Sequence, residues 1–244
     1  MKVRVDQLLV TKNLAPSRAR AQALVLAGKV YVGETRIDKA GALLAEDAEV
    51  VVRGEDHPYV SRGGVKLAGA LDTFKVDPRG KRCLDLGAST GGFTDCLLQR
   101  GATSVAAVDV GYGQLAHKLR VDPRVLVLER TNARTLTPEV IGGAAELVVV
   151  DASFIGLGKL LPAIAACLSS GGELVALVKP QFEVGREEAS RTRGVVRDPE
   201  VRTRAIEGAT NDVAAVGLEV LGTCDSTLEG PKGNLEAFVH ARKR

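Results

Sequence analysis

Apolar residues change their spacing partway along the chain, and the change divides it into two regions. In the first, Val5, Leu8 and Leu9 recur at helical spacing and predict a short helix ending near Asn13. A second helix is expected after Pro16, with Ser17 as its N-cap, Ala21, Leu24 and Val25 on its buried side, and Gly28 as its stop. The same spacing turns Arg18 and Gln22 toward solvent. Short strands are expected at Val30 to Val32 and Ala48 to Val52, with a turn at Gly33-Glu34. So few elements enclose a very small core, which suits an appended binding module better than a free-standing domain.

From Lys81 onward, apolar runs alternate with helical stretches. Strands are expected at Arg82 to Leu86, Ser104 to Val108, Val125 to Leu128, Glu146 to Val150 and Glu173 to Val178. Continuously apolar strands separated by helices imply a parallel sheet covered on both faces. Thr137-Pro138 and Asp198-Pro199 each read as an N-cap followed by proline at the first helical position. Two last apolar segments, Leu218 to Gly222 and Leu235 to Val239, follow with no helix between them and predict an antiparallel edge pair. The polar stretch from Arg53 to Tyr59 contains Gly and Pro and lacks periodicity. The expected organisation is a small α+β module over 1–54, a linker over 55–61 and an α/β domain over 62–244.

On such sheets, ligands bind at the carboxyl ends of the strands, and the unusual residues gather there. The run Leu84-Asp85-Leu86-Gly87-Ala88-Ser89-Thr90-Gly91-Gly92-Phe93-Thr94-Asp95 ends a strand in a glycine-rich loop that opens a helix. Its G-x-x-x-G-G spacing matches neither the dinucleotide fingerprint nor the lysine-ended phosphate loop. Asp85, just before the loop, would repel phosphates and suits a cationic or amine-bearing ligand such as S-adenosylmethionine. Asp109 ends the next strand, where an acid can accept hydrogen bonds from the ribose hydroxyls of an adenosyl group. Nicotinamide and adenosylmethionine binders share that logic, so both stay open. Asn132, after the third strand, either faces an adenine or serves as a turn residue. Asp151 and Lys179 end the fourth and fifth strands and should meet on one rim. They form either an ordinary rim ion pair or a site where the lysine receives a proton from a ribose hydroxyl.

Charge sharpens the reading of the first region. From Met1 to Lys39 eight basic residues outnumber the acids Asp6, Glu34 and Asp38, whereas from Ala40 to Asp56 Arg53 alone faces five acids. A basic face beside an acidic one fits a module that meets a polyanion, although two solvated faces would look the same. Arg186, Arg191, Arg193 and Arg197 follow Lys179 closely and are expected either on a mobile loop that contacts RNA phosphates or on an ordinary solvated surface loop. The four cysteines and three histidines are scattered, which argues against disulfides and a metal site. No apolar run reaches the roughly 20 residues of a membrane span. The N-terminus alternates charge with apolar residues, so the protein is expected to stay in the cytoplasm.

Several runs in combination resemble the TlyA ribosomal RNA 2′-O-methyltransferases (also called hemolysins), within the FtsJ-like methyltransferase group. They are Ser61-Arg-Gly-Gly-Val-Lys66-Leu67, Leu86 to Thr94, Asp109 to Leu115, Glu129 to Arg134, Leu177 to Gly185, and Gly233 to Glu236. The N-terminal region resembles the RNA-binding domain named for small-subunit ribosomal protein S-four. The resemblance implies a Rossmann-like class I methyltransferase fold with a seven-stranded, mostly parallel sheet. It implies a catalytic tetrad of Lys66, Asp151, Lys179 and Glu236. It further implies an S-adenosylmethionine site of Asp85, Gly87, Ala88, Ser89, Thr90, Gly91, Gly92, Phe93, Asp109, Val110, Asn132, Ala133 and Asp151. RNA contacts are expected at Lys2, Arg4, Arg18, Arg20, Lys29, Arg62, Arg191 and Arg193. The implied substrate is a cytidine ribose in large-subunit ribosomal RNA, met as RNA or as a ribosomal subunit. Lys66 is expected off the packed face set by Leu67, Ala70, Leu71 and Phe74. Rival readings are a nicotinamide oxidoreductase, a binding-only ribosome-assembly factor and a pore-forming toxin. The loop spacing, the filled tetrad and the lack of a membrane span disfavour each in turn.

Overall fold

The computed structural model describes residues 2–26, 28–53, 57–184, 194–230 and 233–244. Contacts divide the chain into two compact units, Met1–Asp56 and His57–Arg244.

The first unit holds β1 (Lys2–Arg4), α1 (Val5–Thr11), α2 (Arg18–Leu26), β2 (Val30–Val32), β3 (Thr35–Arg36), β4 (Leu43–Ala45) and β5 (Val50–Val52). β1 pairs antiparallel with β4, and β2 lies between β3 and β5. Val5, Leu8 and Leu9 of α1 and Ala21, Leu24 and Val25 of α2 form the core with Val30. The Ser17 hydroxyl accepts the Arg20 amide at 3.2 Å, the capping bond its residue type offers. Gln22 is not turned to solvent as its helical position suggested, because it donates to the buried Asp6 at 2.9 Å. The pairs β1–β4 and β2–β3 are two or three residues long, too short to carry a periodic pattern.

The second unit is one sheet covered by helices. In chain order it comprises α3 (Gly63–Phe74), β6 (Arg82–Leu86), α4 (Gly92–Gln99), β7 (Ser104–Val108), α5 (His117–Arg120), β8 (Val125–Leu128), β9 (Ala145–Val150) and α6 (Leu161–Cys167). Then follow β10 (Leu168–Val178), α7 (Pro180–Glu183), α8 (Pro199–Ala215), β11 (Leu218–Asp225) and β12 (Ala237–Lys243). The seven strands run in the order β11-β12-β10-β9-β6-β7-β8. All neighbours are parallel except the two pairings of β12. Along each strand, alternate residues enter two separate cores. Leu84, Leu86, Val148, Val150, Ala176 and Val178 pack on one face, and Cys83, Leu147, Val149, Val175 and Leu177 on the other. Burial on both faces is why these strands read as continuous apolar runs.

Strand order reverses between β6 and β9, which leave the sheet centre toward opposite edges. Their carboxyl ends therefore open a crevice between diverging loops, the place where open α/β sheets bind ligands. α8 starts as expected, with the Asp198 carboxylate accepting the Glu200 and Val201 amides. Thr137-Pro138 starts only a turn, because Gly142 and Gly143 at φ 78° and 118° end it at once. β12 begins later and runs longer than its apolar segment indicated. His240 and Arg242 continue the strand because Glu173 on β10 takes both, at 3.1 and 3.4 Å. Glu236 consequently stands just ahead of β12 rather than inside it.

Candidate active site

Two adjoining cavities open at the crevice. One, of about 350 Å³, is lined by the loop after β6 (Gly87, Ser89), the residues after β7 (Asp109, Val110, Gly111, Gln114), Thr131, Asn132 and Ala133 after β8, and Asp151 to Ile155 after β9. The other, of about 400 Å³, is lined by Ser61, Arg62, Gly63, Lys66, Gly87 to Thr90, Gly92, Phe93, Asp151, Lys179 and Glu236. Gly87, Ser89 and Asp151 belong to both walls.

Glycine is required at the shared wall. Gly87 has φ 85°, and a Cβ there would lie 2.7 Å from the Asp151 carbonyl oxygen. Its absence lets the loops after β6 and β9 touch while leaving space on both sides. In the first cavity the Asp109 carboxylate accepts the Ser89 amide at 2.8 Å and the Gly111 amide at 2.6 Å. Those bonds fix its orientation and leave lone pairs for hydroxyl donors. The Asn132 side chain accepts the Arg134 amide at 3.1 Å while also lining the cavity, so it is at once a turn residue and part of the wall.

Asp85 and Gly91 line neither cavity. Asp85 is fully buried beneath the loop, where the Thr94 hydroxyl donates to it at 2.6 Å. Burial pushes its carboxyl up to about 7, against the pull of Thr94 and with help from the charge of Asp151. Gly91, at φ 94°, is the left-handed residue that precedes α4. Phe93 lines the second cavity and stacks on Phe238 with 6.2 Å between ring centres.

The second cavity holds two amine–carboxylate pairs. Lys66 Nζ meets Glu236 Oε2 at 2.5 Å, with side chains 10% and 0% exposed. Lys179 Nζ meets Asp151 Oδ1 at 2.6 Å and donates to Ser153 Oγ at 2.8 Å. Lys66 is buried, although it stands outside the apolar cluster that Leu67, Ala70 and Leu71 join. Its helical position lies beside the apolar stripe of α3, and Glu236 supplies the compensating charge that makes burial tolerable. Among the described residues, Glu236 Oε1 has no hydrogen-bond partner. A buried carboxylate oxygen without a donor is costly, and this one is packed against Gly230, where an added Cβ would collide with it.

Three further wall residues were not among the expected site residues. Ser61, Ser153 and Phe154 lie on loops whose course is set by distant contacts. The Glu183 carboxylate of α7 accepts the Leu157 amide at 2.8 Å and so anchors the loop that bears Asp151, Ser153 and Phe154. Burial raises the Glu183 carboxyl, partly offset by that amide. Phe154 stands 91% exposed at φ 66°, a strained setting for a bulky residue, and tilts over Phe182 with 5.4 Å between ring centres. Of the expected RNA contacts, Lys2, Arg4, Arg18 and Arg62 are exposed, and Arg20 and Lys29 are half-buried. Arg186, Arg191 and Arg193 lie outside the described residues, while Arg197 is exposed ahead of α8.

Comparison with known proteins agrees with this architecture. Residues 59–243 match the model of the FtsJ-like methyltransferases, and residues 3–50 match that of the S4 domain. The 16S/23S rRNA (cytidine-2′-O)-methyltransferase TlyA of Mycobacterium tuberculosis is 50% identical over 99% of this chain and 90% of its own length. The 23S rRNA (cytidine-2′-O)-methyltransferase TlyA of Campylobacter jejuni is 36% identical over 75% of this chain and 70% of its own. A solved structure of a candidate hemolysin from Streptococcus thermophilus superposes with a TM-score of 0.77 at 42% identity, covering 99% of this chain and 88% of that one. Among the described residues, no helix is long and apolar enough to cross a membrane.

Proposed function

We propose, from the premise that this chain belongs to the FtsJ-like methyltransferase family, that it transfers a methyl group from S-adenosylmethionine to the ribose 2′-hydroxyl of a cytidine in ribosomal RNA. The large-subunit RNA is the substrate favoured here, since 23S RNA appears in the names of both relatives. The observation that carries the reading is that Lys66, Asp151, Lys179 and Glu236 all line one cavity, which shares its wall with a second cavity of cofactor size.

S-adenosylmethionine supplies an electrophilic methyl group on a sulfonium. The donor set of the first cavity fits it. Asp109 is oriented to accept ribose hydroxyls, Val110, Asn132 and Ala133 line the cavity where an adenine would pack, and the bare backbone at Gly87 permits close approach. In the second cavity, Lys179 Nζ would take the proton of the attacking 2′-hydroxyl or stabilise the developing negative oxygen. Asp151 and Ser153 hold that nitrogen in one rotamer. Lys66 and Glu236 form the opposite part of the frame, with Glu236 holding the Lys66 amine beside the cavity. Alignment of the reacting atoms by such a frame supplies up to about 7–11 kcal/mol of the barrier reduction.

The reading is tested by mapping 2′-O-methylated riboses in ribosomal RNA from cells with and without the gene. One or more methylcytidines should vanish on deletion and return with the wild-type gene. They should not return with Lys179→Ala, whose purified protein should still bind S-adenosylhomocysteine. An unaltered methylation map on deletion would overturn the proposal.

A further inference from the structure

The N-terminal unit contains a charged group that the charge count along the chain misjudges. Asp6 is an acid among basic residues, and on a solvated face it would simply subtract from their attraction for RNA. It is instead fully buried in the first turn of α1. Its Oδ1 accepts Arg4 Nε at 3.0 Å, and its Oδ2 accepts Arg4 Nη2 at 2.9 Å, Arg18 Nη2 at 3.1 Å and Gln22 Nε2 at 2.9 Å. The two arginine side chains nevertheless remain 46% and 57% exposed.

The geometry points to Asp6 as a positioning residue that fixes Arg4 and Arg18 as a preformed clamp for two RNA phosphates. The inference rests on the RNA-substrate reading above and adds to it the device that orders the contact. Arg4 ends β1 and Arg18 opens α2, so without a common anchor the two long side chains would sample separate rotamers. One carboxylate binds both at once. It occupies two of the five N–H donors of Arg4 and one of Arg18, leaving the others for phosphate oxygens. Packing also confines Arg4, since a Cβ on Gly41 would lie 3.2 Å from its Nη1. Arginine clamps gain specificity from such fixed planar forks. Burial keeps water from competing for Asp6, and the neighbouring guanidinium of Arg4 holds its carboxyl well below the usual range.

Charge and positioning predict opposite signs for one substitution. Asp6→Asn keeps the size of the side chain and adds one unit of positive charge to the module. Counted as charge, it should tighten RNA binding and steepen the salt dependence. As the loss of an anchor, it should weaken binding about fivefold to a hundredfold, the cost of re-ordering two long side chains on the RNA. The experiment uses the full chain with an unmodified large-subunit RNA transcript, measuring Kd across a salt series and steady-state methylation. The expected result is a raised Kd and KM for RNA with kcat at saturating RNA retained. Arg18→Gln should cost less in the Asp6→Asn background than in the wild type. Should Asp6→Asn fail to fold by circular dichroism, Gln22→Met removes one of Asp6's donors without changing charge and should weaken binding in the same direction. Equal or tighter binding by a folded Asp6→Asn or Gln22→Met variant overturns the positioning role. Failure of the wild-type chain to bind the transcript would instead sink the RNA reading beneath it.

Discussion

The buried pair Lys66–Glu236 offers a way to separate what the active site needs for folding from what it needs for chemistry. The two side chains are 10% and 0% exposed and meet at 2.5 Å, so removing either leaves a charge with little water to solvate it. Breaking a buried pair from one side costs about 3–5 kcal/mol, whereas replacing both members with apolar residues is near neutral. Glu236→Ala and Lys66→Ala should therefore each lower Tm by roughly 6–20 °C, taking about 2–4 °C per kcal/mol for a domain of this size. The double variant Lys66→Met/Glu236→Leu should recover most of that stability. Methylation should not recover with it, because the frame around the ribose is gone, and misplacement alone costs on the order of 100-fold. Thermal and urea denaturation followed by circular dichroism, S-adenosylhomocysteine binding by calorimetry, and methyl transfer to large-subunit RNA would be measured on all four proteins. A stable double variant that methylates at the wild-type rate would show the pair to be scaffold. Single variants that lose less than about 1 kcal/mol would show the pair to be solvated, as surface pairs are.

Asp85 and Gly87 give two further expectations. Because burial raises the Asp85 carboxyl from 3.8 to about 7, the folded state holds its proton longer than the unfolded chain does. Stability from this group is therefore lost as pH rises from about 4 to 7, on the order of 4 kcal/mol in all. Asp85→Asn should remove that slope, so its Tm relative to the cofactor-free wild type should climb between pH 5 and pH 8; a difference flat with pH would contradict the burial argument. Gly87→Ala must place a Cβ 2.7 Å from the Asp151 carbonyl oxygen at φ 85°. It should lose at least about 1–2 kcal/mol of stability to backbone strain alone. Its affinity for S-adenosylhomocysteine should fall by more than tenfold as the shared wall shifts, and calorimetric titration giving the wild-type Kd would refute the steric reasoning.

What the sequence made legible, and what it did not, follows from the range of the interactions involved. The parallel sheet was readable because burial on both faces leaves nearly continuous apolar runs at β7, β9 and β10, and β6 is interrupted only by the buried Asp85. Asp151 and Lys179 were readable because each is the first polar residue after such a run, on strands that pair side by side. Local rules failed where a neighbour overrode them. Thr137-Pro138 has the residues of a helix start, but two glycines a few positions later end the turn. Lys66 and Glu236 lie 170 positions apart, and only the resemblance to a family linked them; no periodicity in either segment marks a lysine of α3 as the partner of a carboxylate ahead of β12. Asp6 shows the same limit in the smaller unit. Counting charges along a chain treats every ionised group as solvated, and this one spends its charge entirely inside the fold. The pairings that local rules missed are thus those in which a partner from a distant segment compensates a buried charge, as Glu236 does for Lys66 and Arg18 does for Asp6. Several compensated groups (the two lysine–carboxylate pairs, the arginines on Asp6, and Phe154 on its anchored loop) stand where this reading brings the cofactor or RNA to the protein, whereas Glu173 with His240 and Arg242 serves only the join of β10 and β12. That coincidence has a physical basis. A buried charge or a strained backbone is costly to maintain, and the fold concentrates these costs at the surfaces that must act on a ligand.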